Sequence, residues 1–329
     1  MLKHRLISFT ILLSLFFTVV FCSNFYISTI AAAILALPMS YFAVYEFLNM
    51  TENIGYGGFK KTGGWLAVIF TLWFVLVGDQ ATTLNYFIAL TIAIFWLIIL
   101  KNIGDKEKLK RELVTLAAFF MVMLPLSLLY KYLFPYGFFH SFISEPGIHH
   151  FSGPIEKDHI ANIFRMVLLY IVLVTKAGDT GAYCTGMLCN KISGGKNHPV
   201  VPKVSPKKSV EGVIGGIILS ITVSYLLFFG SESIKNYFIP SKIDGITLDV
   251  LTVIIPLFFG IVLYFGGFFG DLVESSLKRT CGVKDSGNIL PGMGGVLDVV
   301  DSLLIALPMF FLAEIVLGFI FLIILVITT

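Results

Sequence analysis

"GDLVESSLKRTCGVKDSGNILPGMGGVLDVVDSLLIAL" occupies residues 270–307. Residues 250–269, just before it, carry no charge, and after Asp301 the one charged residue is Glu314. A membrane helix needs about 20 apolar residues to cross the hydrocarbon core. The quoted stretch is therefore a polar connection between two membrane helices, with Asp271 at the mouth of one and Asp298 and Asp301 at the mouth of the other. On a helix continuing past residue 269, Asp271, Glu274, Ser275 and Lys278 share one face, because residues three and four apart are neighbours. Asp298 and Asp301 do the same at the next helix start. Between them run Arg279, Lys284, Asp285 and the glycine-rich loop with Gly292, Gly294 and Gly295.

The rest of the chain agrees with a membrane setting. Hydrophobic residues make up 57% of the 329 and charged residues 13%, against about 25% charged in a soluble domain. Nine candidate spans follow, at roughly 6–22, 28–46, 65–79, 81–100, 113–133, 161–178, 212–229, 249–269 and 303–327. Asp79 and Gln80 form the turn between the third and fourth. The N-terminal "MLKHRLISFTILLSLFFTVVFC" has no small-x-small cleavage site, so it is expected to be retained as the first span. The fold class is all-α and polytopic. Residues 1–160 are expected to supply scaffold helices, a lipid cavity and dimer contacts, and residues 161–329 the catalytic transmembrane domain.

Basic residues orient the map. With the N-terminus in the cytoplasm, Lys3, Arg5, Lys60, Lys61, Lys101, Lys106, Lys108, Lys110, Arg111, Lys191, Lys196, Lys203, Lys207, Lys208, Lys278, Arg279 and Lys284 fall on the cytoplasmic side. The opposite side holds Lys157, Lys235 and Lys242. This positive-inside bias puts the C-terminus outside and the acidic helix mouths inside. The four cysteines (Cys22, Cys184, Cys189, Cys281) form no CxxC pair, so neither a zinc site nor a disulfide framework is expected. His140, His149, His150 and His159 are irregularly spaced on the far side and read as an interfacial loop.

Two further stretches bring polar chemistry to the cytoplasmic face. In "KAGDTGAYCTG" (176–186), Lys176 and Asp179 fall where the sixth span should end, and ionisable groups at that depth usually face an interior or a wet cavity. In "PKVSPKKSVEGVIGG" (202–216), Ser205 followed by Pro206 reads as a helix N-cap and first position. Lys203, Lys207 and Lys208 beside free helix N–H groups would make a phosphate site. Glu211 and the small residues Gly212, Gly215 and Gly216 add to that reading. The plainer account of the lysines is a loop facing anionic lipid, and of each aspartate a helix cap paired with Lys278 or Arg279. Acids from two helices beside a basic cluster favour a divalent ion, Mg²⁺, which takes a few carboxylates plus substrate phosphate oxygens. The residues thus indicate a membrane enzyme acting on a phosphorylated substrate, with no nucleic-acid partner.

The stretch Ser276–Asp301 resembles the signature of the phosphatidate cytidylyltransferases (CDP-diacylglycerol synthases). "GDLVES", "DTGAY" at 179–183, "PKVSPKKSVEGVIGG", the opening "LKHRLIS" and "YEFLNM" at 45–50 are similar to family blocks in the family order. Met293 and Val299 depart from the strict signature, which has His and Arg there. The resemblance implies transfer of a cytidylyl group from CTP to phosphatidate, giving CDP-diacylglycerol and pyrophosphate. It implies Asp271 and Asp298 as metal ligands, with Asp301 ligating or supporting and Glu274 behind them. Lys278, Arg279, Lys284 and Asp285 would serve phosphates or the lipid headgroup. Ser205, Lys207, Lys208 and Glu211 would serve the triphosphate, and Asp179 the nucleotide pocket. Gly294 and Gly295 would keep side chains clear of the triphosphate. A homodimer and an accessory K⁺ are further implications, as is an inner-membrane location with the site on the cytoplasmic face. Another CTP-dependent or polyprenyl lipid phosphotransferase is the alternative within enzymes. An ion-coupled transporter is the alternative outside them, though its charges would sit near the midplane with internal repeats.

Overall fold

The computed structural model describes residues 2–22, 24–77, 100, 104–135, 154–194, 197–202, 204–239, 246–292 and 294–328. Residues 81–99 of the expected fourth span lie outside the described residues, as do the Asp79–Gln80 turn, His140, His149, His150, Lys203 and Met293. The elements are α1 (Leu2–Phe21), α2 (Phe25–Glu52), α3 (Lys60–Val77), α4 (Lys106–Leu133), α5 (Pro154–Ile192), β1 (Pro199–Val201), β2 (Ser205–Ser209), α6 (Val210–Gly230), α7 (Glu232–Phe238), α8 (Ile246–Thr280) and α9 (Val296–Thr328). Among the described residues, seven helices are long and apolar enough to cross a membrane, namely α2 to α6, α8 and α9. The apolar part of α1 in that set is shorter, Thr10–Phe21. The protein is an all-α polytopic membrane protein.

The chain forms two compact units. The first comprises Met1–Arg165 with Leu277–Val300. Its helices meet through aromatic and small residues. Phe70 packs edge-on to Phe119 at 5.7 Å, and Phe74 lies 5.9 Å from Tyr130. Gly63 gives way to Leu48 and Thr115, and Gly64 to Tyr41. At the other end of α2, Ser28 Oγ donates to Val19 O at 2.9 Å, and buried Arg165 donates to Cys22 O at 3.0 Å. Both bonds hold the α1–α2 turn.

The second unit comprises Met166–Ser276 with Asp301–Thr329. Its aromatic centre is Phe238, Phe259 and Phe310, with centroids 4.6 Å and 5.0 Å apart along that series. Helices approach closely wherever glycine faces a backbone. A Cβ on Gly212 would meet Ala182 O at 2.8 Å, and one on Gly181 would meet Gly215 O at 2.8 Å. The glycines after Glu211 therefore fit α6 against α5. Buried Ser220 Oγ lies 3.1 Å from Val174 O and 2.9 Å from Gly260 O, so one hydroxyl ties three helices.

Two expectations fail here. Residues 205 and 206 do not begin a helix. Ser205–Ser209 pairs antiparallel with Pro199–Val201, Val201 opposite Ser205 and Pro199 opposite Ser209. The helix starts one turn later, because Ser209 has extended backbone and its Oγ accepts the Gly212 N–H at 3.1 Å. Pairing with Pro199–Val201 keeps Ser205 extended and leaves Ser209 to cap the helix, where Glu211 in the first turn suits the helix dipole. Nor does the sixth helix end near residue 178. α5 runs on to Ile192, so Lys176 and Asp179 sit inside it. Gly178 and Gly181 stay helical since their missing side chains admit Tyr264 and Leu219.

The tightest approach in this unit is at Gly270. A Cβ there would overlap Asp301 O and stand 2.9 Å from Ser302 Cα, both backbone of α9. On an exposed helix Gly→Ala would stabilise by about 1 kcal/mol. At Gly270 the sign should reverse. Gly270→Ala is expected to destabilise by about 1–3 kcal/mol, the usual cost of overpacking, read as a lowered thermal midpoint in detergent. An unchanged or raised midpoint would show that α8 and α9 do not meet there.

Candidate active site

The second unit gathers acids. Asp271 and Glu274 lie one turn apart on α8, and Asp301 lies near the start of α9. Their carboxylate oxygens come within 4.8 Å of one another. The local cause is visible in the sequence, since the i, i+3 spacing stacks Asp271 over Glu274 and Gly270 lets the Asp301 turn approach. Glu274 is buried and the Asp271 side chain is half-exposed, so the group opens on the Asp271 side.

Two lysines answer these charges. Lys208 Nζ lies 3.0 Å from Asp271 Oδ2, donates to Phe268 O at 3.2 Å and sits 4.4 Å from the Phe268 ring centroid. Lys176 Nζ donates to Ser302 Oγ at 2.6 Å and stands 3.5 Å from Asp179 Oδ2. Ser275 Oγ donates to Asp271 Oδ1 at 3.0 Å, and the Ser302 N–H to Asp301 Oδ1 at 2.5 Å. Four carboxylates (Asp179, Asp271, Glu274, Asp301) thus face two ammonium groups. All donors are hard oxygens, the set a divalent cation such as Mg²⁺ prefers, and a cation would offset the remaining repulsion.

The hairpin presents the lysine. Ser205 opens β2, Lys207 lies within it, and Lys208 precedes the Ser209 cap. Glu211 turns back to the hairpin rather than to the acids. It accepts the His198 N–H at 3.3 Å and pairs with His198 Nδ1 at 2.7 Å. Asn197 Nδ2 donates to Gly186 O at 2.8 Å and anchors the same loop on α5.

Asp298 has different company, in the first unit. Lys278 Nζ donates to its Oδ1 at 2.7 Å, and its Oδ2 accepts the N–H groups of Ser286 at 2.9 Å and Gly295 at 2.8 Å. The Lys278 and Asp298 side chains are only 14% and 11% exposed. The plainer sequence reading of Asp298, a cap paired with Lys278, describes this geometry. Gly294 has φ +96°, and a Cβ on it would strike Asp298 Oδ2. Arg279, Lys284 and Asp285 stay exposed.

Glu46, Lys176 and Ser286 make polar contacts to which the sequence motifs assign no role. Glu46 is 2% exposed on α2. Its Oε1 accepts the Val296 N–H at 3.0 Å, and its Oε2 accepts the Leu297 N–H at 2.9 Å and the Ser286 hydroxyl at 3.0 Å. The signal was available, because an acid inside an apolar span needs a reason. "YEFLNM" held it without saying what it bonds.

Comparison with known proteins bears on the whole arrangement. The model of the cytidylyltransferase family matches residues 3–317. A phosphatidate cytidylyltransferase of Staphylococcus haemolyticus (strain JCSC1435) is 41% identical over 142 residues, 43% of this chain and 46% of that protein. One from Staphylococcus aureus (strain COL) is 39% identical over 142 residues, with the same coverage of 43% and 46%. The uncharacterized protein YnbB of Escherichia coli (strain K12) is 37% identical over 146 residues, 44% of this chain and 41% of that protein. Each match spans less than half of the relative's length.

Proposed function

This chain belongs to the cytidylyltransferase family, and from that membership we propose that it transfers a cytidylyl group from CTP to phosphatidate, releasing pyrophosphate. The observation that carries the reading is the Asp271–Glu274–Asp301 cluster, three oxygen donors within 4.8 Å with lysines beside it. In the reaction a phosphatidate phosphate oxygen attacks the α-phosphorus of CTP. The bond from that phosphorus to the bridging oxygen breaks, and pyrophosphate leaves with the electron pair. Such a displacement needs positioning and charge neutralisation, not a protein nucleophile.

Asp271, Glu274 and Asp301 would hold Mg²⁺, which when bound neutralises phosphate oxygens and the charge of the leaving group. Lys208, on its hairpin, is placed to exchange Asp271 for a phosphate oxygen. Its contact with Phe268 keeps it directed toward the acids in the meantime. Lys176 balances Asp179 and orients Ser302, next to Asp301. The exposed Arg279 and Lys284 would receive a phosphate or the lipid headgroup, with Lys278 behind them. The positive-inside pattern supports nine spans, a cytoplasmic N-terminus and an active site on the cytoplasmic face of the inner membrane. A homodimer and an accessory K⁺ belong to the same reading.

Purified protein in detergent should convert phosphatidate and labelled CTP to CDP-diacylglycerol in the presence of Mg²⁺, and should stop when EDTA is in excess. No product under conditions where a known synthase works would sink the proposal. Product that persists in EDTA would remove the metal from it.

A further inference from the structure

We infer that Glu46 is a positioning residue for this reaction: from α2 it fixes the first turn of α9, with Gly295 before it, and the Ser286–Gly287 segment, and so sets the Lys278–Asp298 pair. The inference rests on the proposed cytidylyl transfer for its kinetic part only. The first amides of any helix have no partner within it. α9 cannot cap itself from the preceding residue, because Gly295 has no side chain. The cap comes instead from a residue 250 positions away, whose carboxylate takes the Val296 and Leu297 N–H groups. An anion at that end also suits the helix dipole.

The loop is shaped around this carboxylate. A Cβ on Gly287 would overlap Glu46 Oε1, and one on Gly295 would overlap Glu46 Oε2 and Ser286 Oγ. Two glycines of the signature region are thereby explained by Glu46 and a third, Gly294, by Asp298. Ser286 links the two acids. Its hydroxyl donates to Glu46, its N–H donates to Asp298 Oδ2, and its Oγ accepts the Asp298 N–H at 3.3 Å. Moving Glu46 therefore moves Ser286, and with it both the backbone and the side chain of Asp298. Burying a carboxylate in an apolar helix is costly unless donors surround it, and Glu46 has three.

The test uses full-length protein carrying Glu46→Gln, Glu46→Ala or Ser286→Ala. Gln keeps one acceptor oxygen for Leu297 and Ser286 and loses the bond to Val296, so it should rescue part of what Ala loses. Hydrogen exchange read by mass spectrometry should rise over residues 285–300 in Glu46→Ala, less so in Glu46→Gln, with peptides from α5 and α6 unchanged. In kinetics, kcat should fall about tenfold in Glu46→Gln and about a hundredfold in Glu46→Ala, the scale of a small misplacement of reacting groups. KM for CTP or phosphatidate should rise about fivefold or more, a change that loss of folded molecules cannot produce. Unaltered exchange over 285–300, or wild-type kcat and KM in either Glu46 variant, would overturn the inference. Should Glu46→Ala not fold, Glu46→Gln and Ser286→Ala decide it on the same readings. The exchange measurement needs no substrate, so a wild-type protein inert toward CTP and phosphatidate would sink the proposed reaction without touching the Glu46 result.

Discussion

Asp301→Asn is expected to lower turnover by about a hundredfold to a thousandfold, the range seen when one preorganised electrostatic contact is removed from a reacting centre, without unfolding the protein. The substitution is nearly isosteric. The remaining amide oxygen can still accept the Ser302 N–H, so the helix turn is undisturbed. What disappears is one of three negative charges crowded within 4.8 Å. Like charges that close repel, so stability should hold or rise as activity falls. The opposite movement of thermal midpoint and rate separates a metal-holding acid from a structural one. The Mg²⁺ concentration for half-maximal rate should rise as well. Asp271→Asn should behave alike in rate and also free Lys208 from its partner at 3.0 Å. A rate for Asp301→Asn within threefold of wild type at low Mg²⁺ would remove Asp301 from the centre.

How far the sequence revealed this site depended on whether the relevant contact was local. Asp271 and Glu274 share a face because helices repeat every 3.6 residues, and the uncharged run before them left no alternative to a helix. Lys208 follows from the positive-inside bias and the family blocks. The hairpin did not. Ser205–Pro206 and Ser209 are both acceptable helix starts by local rules, and what decides between them is pairing with Pro199–Val201. The glycine loop was recognisable as a feature, but its reason was not. In the sequence Gly294 and Gly295 read as room for a triphosphate; the fold adds that a Cβ on them would strike Asp298 and Glu46. Glu46 acts across 250 residues, and no periodicity in one chain reports such a partner. Lys176 reads in the sequence as a charge at depth, and its partner Ser302 follows only from the continuation of α5 past it.

Asp298→Asn tests the other half of the signature, and the structure sharpens what it should do. The Lys278–Asp298 pair is 2.7 Å long and little exposed. Removing one partner of such a pair leaves a buried charge uncompensated and costs about 3–5 kcal/mol. Asparagine also offers one acceptor oxygen where the carboxylate serves Lys278, Ser286 and Gly295. Asp298→Asn should therefore lose both activity and several degrees of thermal midpoint, unlike Asp301→Asn. The informative variant is the double substitution Asp298→Asn with Lys278→Met. It removes both charges, so much of the lost stability should return, since an apolar replacement of a buried pair is often neutral. Activity should not return. In the proposed reaction the Lys278 ammonium serves a phosphate, and a methionine cannot, so turnover should stay down about a hundredfold or more. A double variant that regains both stability and near-wild-type rate would reduce the pair to a structural clamp. That result would leave Asp271, Glu274 and Asp301, with the lysines of α5 and the hairpin, to carry the chemistry alone.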